Sequence, residues 1–156
     1  MVQKAQKTEF VCRNRKATFR FEILEHIECG IILLGSEVKS LREKAVSLEE
    51  AYARIESDGV WLVGCHIAPY LQAHAQNHEP LRKRKLLLHS SQLRKLRPKL
   101  EQKGFTLTPL SVYFNERGIA KVDIALAKGK NVRDKRETLK KRETSREIER
   151  EIRKRR

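Results

Sequence analysis

The chain has 156 residues, with 35 Lys and Arg against 20 Asp and Glu and a formal net charge of +15, a length that fits one domain and a tail. An apolar share of 39% beside 35% charged residues is low for a compact domain of this size, so part of the chain stays out of the core. Charge of this sign attracts phosphate polymers or anionic surfaces. No run approaches the roughly 18 apolar residues of a membrane span, and the polar start at 1–9 lacks the apolar segment of a secretory signal, which predicts a cytoplasmic protein with no membrane partner.

Taken along the chain, the pattern is mainly strands. Alternation over 18–23 and an apolar run bounded by Gly30 and Gly35 predict two strands of a barrel or sandwich. Ser36 is placed to cap a two-turn helix to Arg42, with Glu37 in its first turn and Arg42 in its last. Runs at 51–55 and 60–67 flank Ser57-Asp58-Gly59, a pairing signal for a hairpin. A longer helix starts at Ser90 or Ser91 and carries Leu93, Leu96 and Leu100 at helical spacing to Lys103, where Gly104 closes it and Pro98 predicts a kink or break. A second hairpin joins 105–114 to 119–127 through Asn115-Glu116-Arg117-Gly118. From Lys128 onward there are 14 basic and 6 acidic residues, and the only aliphatic side chains are Val132, Leu139, Ile148 and Ile152. That is too little to offset the cost of ordering a backbone, so the tail is predicted to be disordered alone. The acid-before-base pairs Glu149 with Arg153 and Glu151 with Arg155 make it a helix in the presence of a suitable surface. The division is therefore a body at 1–127 and a basic tail at 128–156.

Chemistry for catalysis is sparse. Asp occurs only at Asp58, Asp123 and Asp134, and there is no phosphate loop, GxSxG or HExxH motif, so no enzyme activity and no cofactor are predicted. His74 and His78, with Cys65 or His66 nearby in sequence, are the best metal candidate, but 69–80 reads as a loop without an acidic ligand, and polar loop histidines are the preferred reading. Cys12, Cys29 and Cys65 are an odd, widely spaced set, as reduced thiols are. The strongest constellation is Arg82-Lys83-Arg84-Lys85 running into Leu86-Leu87-Leu88. Burial of the leucines would hold four cations as a fixed patch for backbone phosphates, against the alternative of a solvated charged loop. Low aromatic content favours structured RNA read by shape, phosphate and 2′-OH over stacked single strands.

At NRKA 14–17, ECGI 28–31, GSEVKSLR 35–42, NHEP 77–80, RKLLLH 84–89, AKGK 127–130 and DKR 134–136, the chain resembles the bacterial SsrA-binding protein family, also called small protein B. The resemblance covers most of the chain. It implies an antiparallel β-barrel with an oligonucleotide-binding-like (OB-like) core, flanking short helices and a C-terminal tail disordered when free. It implies a non-catalytic adaptor that binds the tRNA-like domain of transfer-messenger RNA and works with elongation factor Tu in rescue of stalled ribosomes. Glu28, Leu87 and His89 match the family's RNA contacts. Glu28 has the alternative of orienting neighbouring cations and Leu87 that of a core residue.

The resemblance also implies that the barrel occupies the decoding centre of the small subunit while the tail folds as a helix along the rRNA of the vacant messenger channel. Asp134, Lys135 and Arg136 carry over as the tagging motif, with Lys128, Lys130 and Arg133 as rRNA-facing cations. Cys29 stands where the family usually has Ala, Asn131 where a third Lys is common, and Arg133 where an aromatic or His is frequent; the Arg133 guanidinium plane can still stack on a base.

Overall fold

The computed structural model describes residues 8–154; most of the polar N-terminal stretch, and Arg155 of the Glu151 with Arg155 pair of the sequence reading, lie outside them. Nine strands, four α-helices and a short 3₁₀ segment are formed among the described residues: β1 Glu9–Arg13, α1 Ala17–Arg20, β2 Phe21–Ile31, α2 Gly35–Arg42, β3 Val46–Ser47, β4 Tyr52–Glu56, β5 Gly59–Val63, β6 His66–Ile67, the 3₁₀ turn Leu71–Gln76, β7 Arg84–Leu87, α3 Ser90–Leu100, β8 Phe105–Phe114, β9 Ala120–Gly129 and α4 Val132–Lys154. No helix among these residues is long and apolar enough to cross a membrane.

Seven strands form one antiparallel sheet in the order β1-β8-β4-β5-β7-β2-β9, and β9 pairs a second time, with β8. Both predicted hairpins are present as β4–β5 and β8–β9. In the second, the Asn115 carboxamide oxygen accepts the N–H groups of Arg117 and Ile119 at 3.0 and 2.9 Å, which fixes the turn. Pro109 lies where the β8–β9 register shifts, as a residue with no N–H to give the ladder must. Alternation then selects the faces: Ile27 and Cys29 of β2 point inward with Val122, Ile124 and Leu126 of β9, and Leu62, Leu86, Leu107 and Val112 complete the core. Each fully buried aliphatic side chain is worth roughly 1.5–3 kcal/mol against exposure.

The sequence pattern misreads three places. Residues 18–20 are helix α1, because the Asn14 side chain accepts the Ala17 N–H at 3.2 Å while its own amide donates to the carbonyls of Leu48 and Pro109, a local bond that competes with extension. The apolar run from Gly30 leaves the sheet after Ile31, and Leu34, still extended, becomes the residue before α2, which starts at Gly35. Helix α3 runs through Pro98 and stops at Leu100, three residues short of Lys103, and the N–H that Pro98 lacks falls in its last turn.

The tail is helix from Val132 to Lys154, the conformation its acid-before-base pairs favour. Arg133 and Glu137 make an i,i+4 pair, and the hydroxyls of Thr138, Thr144 and Ser145 bond the carbonyls one turn back. Its root touches α1, where Arg142 donates to the Thr18 hydroxyl at 3.3 Å and lies over the Phe19 ring.

Candidate nucleic-acid interface

Much of the basic run is spent inside the protein. Glu37, fully buried on α2, accepts from Arg82 at 2.7 and 3.1 Å and from Arg84 at 2.8 Å, and takes the Leu34 N–H at 2.7 Å. Burial opposes ionisation of Glu37, but the Arg82 hydrogen bonds, the Leu34 N–H and the Arg84 charge outweigh it and hold the carboxyl below the usual carboxylate range. Arg84 is 0% exposed and its remaining N–H groups reach the carbonyls of Cys65 and Pro80. Arg84 therefore cannot contact RNA, a correction to the sequence reading, and the reason is a carboxylate 47 residues earlier that no local pattern reveals. Lys83 pairs with Glu56, and Lys85 with Asp58 while lying over Trp61, so both keep a surface position with an acidic neighbour. Arg82 retains an exposed edge.

The three leucines also divide. Leu86 is core, Leu88 is half-buried against it, and Leu87 is 54% exposed, because β7 alternates like any strand with one solvated face. That exposure removes the core alternative for Leu87 and places it on the outer face opposite Gly30 of β2.

Glu28 stands on the same face, its side chain 58% exposed and opposite Asp123 of β9. The Tyr113 hydroxyl donates to one Glu28 oxygen, and Lys121 Nζ is 3.6 Å from the other. Burial first, and then the hydrogen bond and charge of Glu28, push the Tyr113 phenol well above its usual value, so it remains a donor at neutral pH. Next along the face, the His26 ring Nδ1 is 3.1 Å from Asp123. His89, exposed at the start of α3, follows β7 by two residues and has its N–H accepted by Gln92.

The structure thus brings Glu28 and Leu87 to one outer face and adds Lys121, Tyr113 and Asp123, which sequence reasoning missed. Alternation in Lys121-Val122-Asp123-Ile124 could have placed both charges outward. Their meeting with Glu28 depends on β2 pairing with β9 across 95 residues of chain, which periodicity does not encode. Of the histidine pair, His78 is buried, with Nε2–H on the Ile67 carbonyl at 3.0 Å and Nδ1 on the Ser36 hydroxyl at 2.9 Å. It ties the loop before β7 to α2 instead of joining His74 at a shared metal.

The second basic surface begins where β9 ends. Lys128 is exposed near the Phe105 ring, while Lys130 is committed locally, donating to the Thr18 carbonyl at 2.9 Å and to Thr138 at 3.3 Å. The Asp134 carboxylate accepts the Asn131 N–H and stands in the first turn of α4, favourable to the helix dipole. Arg133, with 91% of its side chain exposed, and Arg136 point to solvent, and Lys135 is half-covered.

An antiparallel sheet with a charged outer face, and a 23-residue basic helix springing from it, make this a mainly β protein with flanking helices. Residues 11–154 match the SmpB protein family. The SsrA-binding protein of Rhodopirellula baltica is 52% identical over 143 residues, covering 92% of this chain and 81% of that protein. That of Syntrophobacter fumaroxidans is 49% identical over 97% of this chain and 93% of its own length. A solved structure described as "tmRNA-SmpB: a journey to the center of the bacterial ribosome" matches with a TM-score of 0.65 and 51% identity, covering 78% of this chain and 85% of that one. The chain belongs to the SsrA-binding protein (SmpB) family.

Proposed function

We propose that the chain is a non-catalytic RNA-binding adaptor of the cytoplasm, which binds the tRNA-like domain of transfer-messenger RNA and delivers it to stalled ribosomes for trans-translation. Family membership across residues 11–154 carries this reading. The outer face supports it in kind: Glu28, Leu87 and His89 are exposed, and Lys83, Lys85 and the free edge of Arg82 border them in sequence. The strand cycle β8-β4-β5-β7-β2-β9, with β9 returning to β8, is read as a closed barrel with an OB-like core. Elongation factor Tu joins through the shared RNA.

The second surface faces the ribosome in this reading. Lys128, Arg133, Asp134, Lys135 and Arg136, rooted by Lys130, meet small-subunit rRNA from the decoding centre into an empty messenger channel. Helix α4 meets the body through Arg142, on Thr18 and the Phe19 ring, so away from the ribosome it is marginal, and channel phosphates supply the partner that its composition lacks.

Competition tests the reading. At about 150 mM salt, where exposed charges beyond about 8 Å are screened, the purified chain binds the tRNA-like domain and an excess of ordinary tRNA does not displace it. Displacement at comparable concentrations would leave a general tRNA-binding module. Truncation after Ala127, or alanine at Asp134, Lys135 and Arg136 together, abolishes peptide tagging while RNA binding by the body persists; equal loss of both would end the two-surface reading.

A further inference from the structure

Helix α1 is a single turn set at the head of β2, the longest strand. Phe19 and Arg20 give their N–H groups back to the Lys16 carbonyl at 3.1 and 2.9 Å, and the turn so closed brings the Thr18 carbonyl, the Thr18 hydroxyl and the Phe19 ring to the side where the tail begins. All three are taken. Lys130 gives its N–H to the Arg20 carbonyl at 3.0 Å and its ammonium to the Thr18 carbonyl at 2.9 Å. The Thr18 hydroxyl donates to the Arg15 carbonyl, which leaves its lone pairs for Arg142 at 3.3 Å. The Arg142 guanidinium carbon also lies 5.9 Å from the centre of the half-buried Phe19 ring.

Within α4 the residues tied to this seat fall on one line. The Thr138 hydroxyl donates to the Asp134 carbonyl and accepts from Lys130, and Arg142 follows Thr138 by four residues. A four-residue step is about one helical turn, so Asp134, Thr138 and Arg142 share a face. The same step carried onward passes Arg146 and Arg150, which line one hollow with Glu149 and Arg153. Past Arg142, the Thr144 and Ser145 hydroxyls bond carbonyls of the helix itself. A helix is stiff in torsion through its backbone ladder, so the contact at Arg142 decides which way the later arginines point.

We infer that Thr18 and Phe19 are positioning residues for the tail: by seating Arg142 they fix the rotation of α4 about its axis, and with it the side on which Arg146, Arg150 and Arg153 are presented. This rests on the adaptor reading above and adds to it the part of the body that aims the helix. The hold is weak by design of its chemistry. A cation over a partly exposed ring shifts an equilibrium by about two- to fivefold, enough to orient a helix without keeping it from a stronger partner.

The full-length chain is compared with Phe19→Ala, Phe19→Leu and Phe19→Tyr. In hydrogen exchange of the free protein, amides 135–142 exchange about threefold faster in Phe19→Ala and Phe19→Leu than in the native chain. Phe19→Tyr keeps an aromatic face and the native rate. Arg142→Ala speeds the same amides and adds nothing in the Phe19→Ala background, because both changes remove one contact. Amides of β8 and β9 keep native rates throughout, which separates a lost contact from a lost fold. On stalled ribosomes, peptide tagging falls about threefold or more in Phe19→Leu and recovers in Phe19→Tyr, while Kd for the tRNA-like domain moves less than about twofold. One alanine inserted between Glu143 and Thr144 turns the three arginines by about 100° relative to the seat and lowers tagging at least as far as Phe19→Leu. Native exchange at 135–142 in Phe19→Ala and Phe19→Leu, equal tagging by the Leu and Tyr variants, or native tagging by the insertion would each overturn the positioning role and leave the adaptor reading standing. If the native chain binds the tRNA-like domain no better than ordinary tRNA, the adaptor reading fails, and the exchange rates still decide whether Phe19 seats Arg142.

Discussion

Glu37 has no solvent contact and serves two guanidiniums, so its removal strands a buried charge on Arg84. Glu37→Gln is expected to lower unfolding free energy by about 3–5 kcal/mol, read from denaturant melts. Acid acts on the same group. Because the folded carboxyl titrates below its unfolded value, its contribution is complete above about pH 4.3 and is lost as pH falls through the lower folded value. The acid limb of a stability profile should be shallower in Glu37→Gln than in the native chain; parallel limbs would refute that assignment. Thiols give a second residue-level test. Burial pushes Cys29 up to about 12 and Cys65 up to about 11, and raises half-buried Cys12. At pH 8 a thiol reagent should leave Cys29 and Cys65 untouched in the native protein, reacting at most slowly with Cys12, and modify all three on denaturation. At this scale the sequence is a poor guide to sites. Arg82 to Lys85 reads as one cationic patch, yet Arg84 is interior and Leu87, within an apolar triplet, is surface. A charge run and an apolar run each follow strand alternation once they lie in β7, and partners remote in sequence decide which cation is spent.

Elements were far more legible than contacts. Asp58-Gly59 and Asn115 to Gly118 announce their hairpins by turn chemistry that is local and strong, and α3 announces itself by leucine spacing, whereas Ser36, read as the cap of α2, lies inside that helix with its hydroxyl on His78. Where a side chain out-competed the pattern, as Asn14 does at α1, or where a run left the sheet to enter a helix, as after Ile31, local reading failed. Turn geometry also fixes the link between β5 and β6. Gly64 has φ +71, and a Cβ on it would lie 2.6 Å from the Glu50 carbonyl oxygen. Gly64→Ala thus meets strain and a backbone clash together and should cost about 1–3 kcal/mol in a thermal or denaturant melt, whereas Gly129→Ala, with nothing within 4 Å, should change it little.

For the whole molecule, charge is divided between a body and a tail of unlike construction. The 14 basic residues from Lys128 onward sit mostly on an exposed helix, so they add phosphate contacts that are strong at low salt and screened at high salt. Affinity for an arbitrary RNA, measured from about 50 to 200 mM salt, should fall less steeply after truncation at Ala127, the slope of log affinity against log salt losing about one unit per phosphate contact removed. An unchanged slope would mean that the tail adds no phosphate contacts in solution.

Strand β9 has a further consequence as a ruler. It carries Lys121 and Asp123 at one end and Lys128 at the other, seven residues or roughly 23 Å apart at strand rise, and between them it is hydrogen-bonded on both sides, to β2 and β8. The spacing between the outer-face cluster and the origin of α4 is therefore set by a doubly braced rod and not by a flexible linker. A one-residue slip would turn Lys121 and Asp123 toward the core, and any change of length would have to be matched in two neighbouring strands. Whatever grips one end of this protein learns the position of the other.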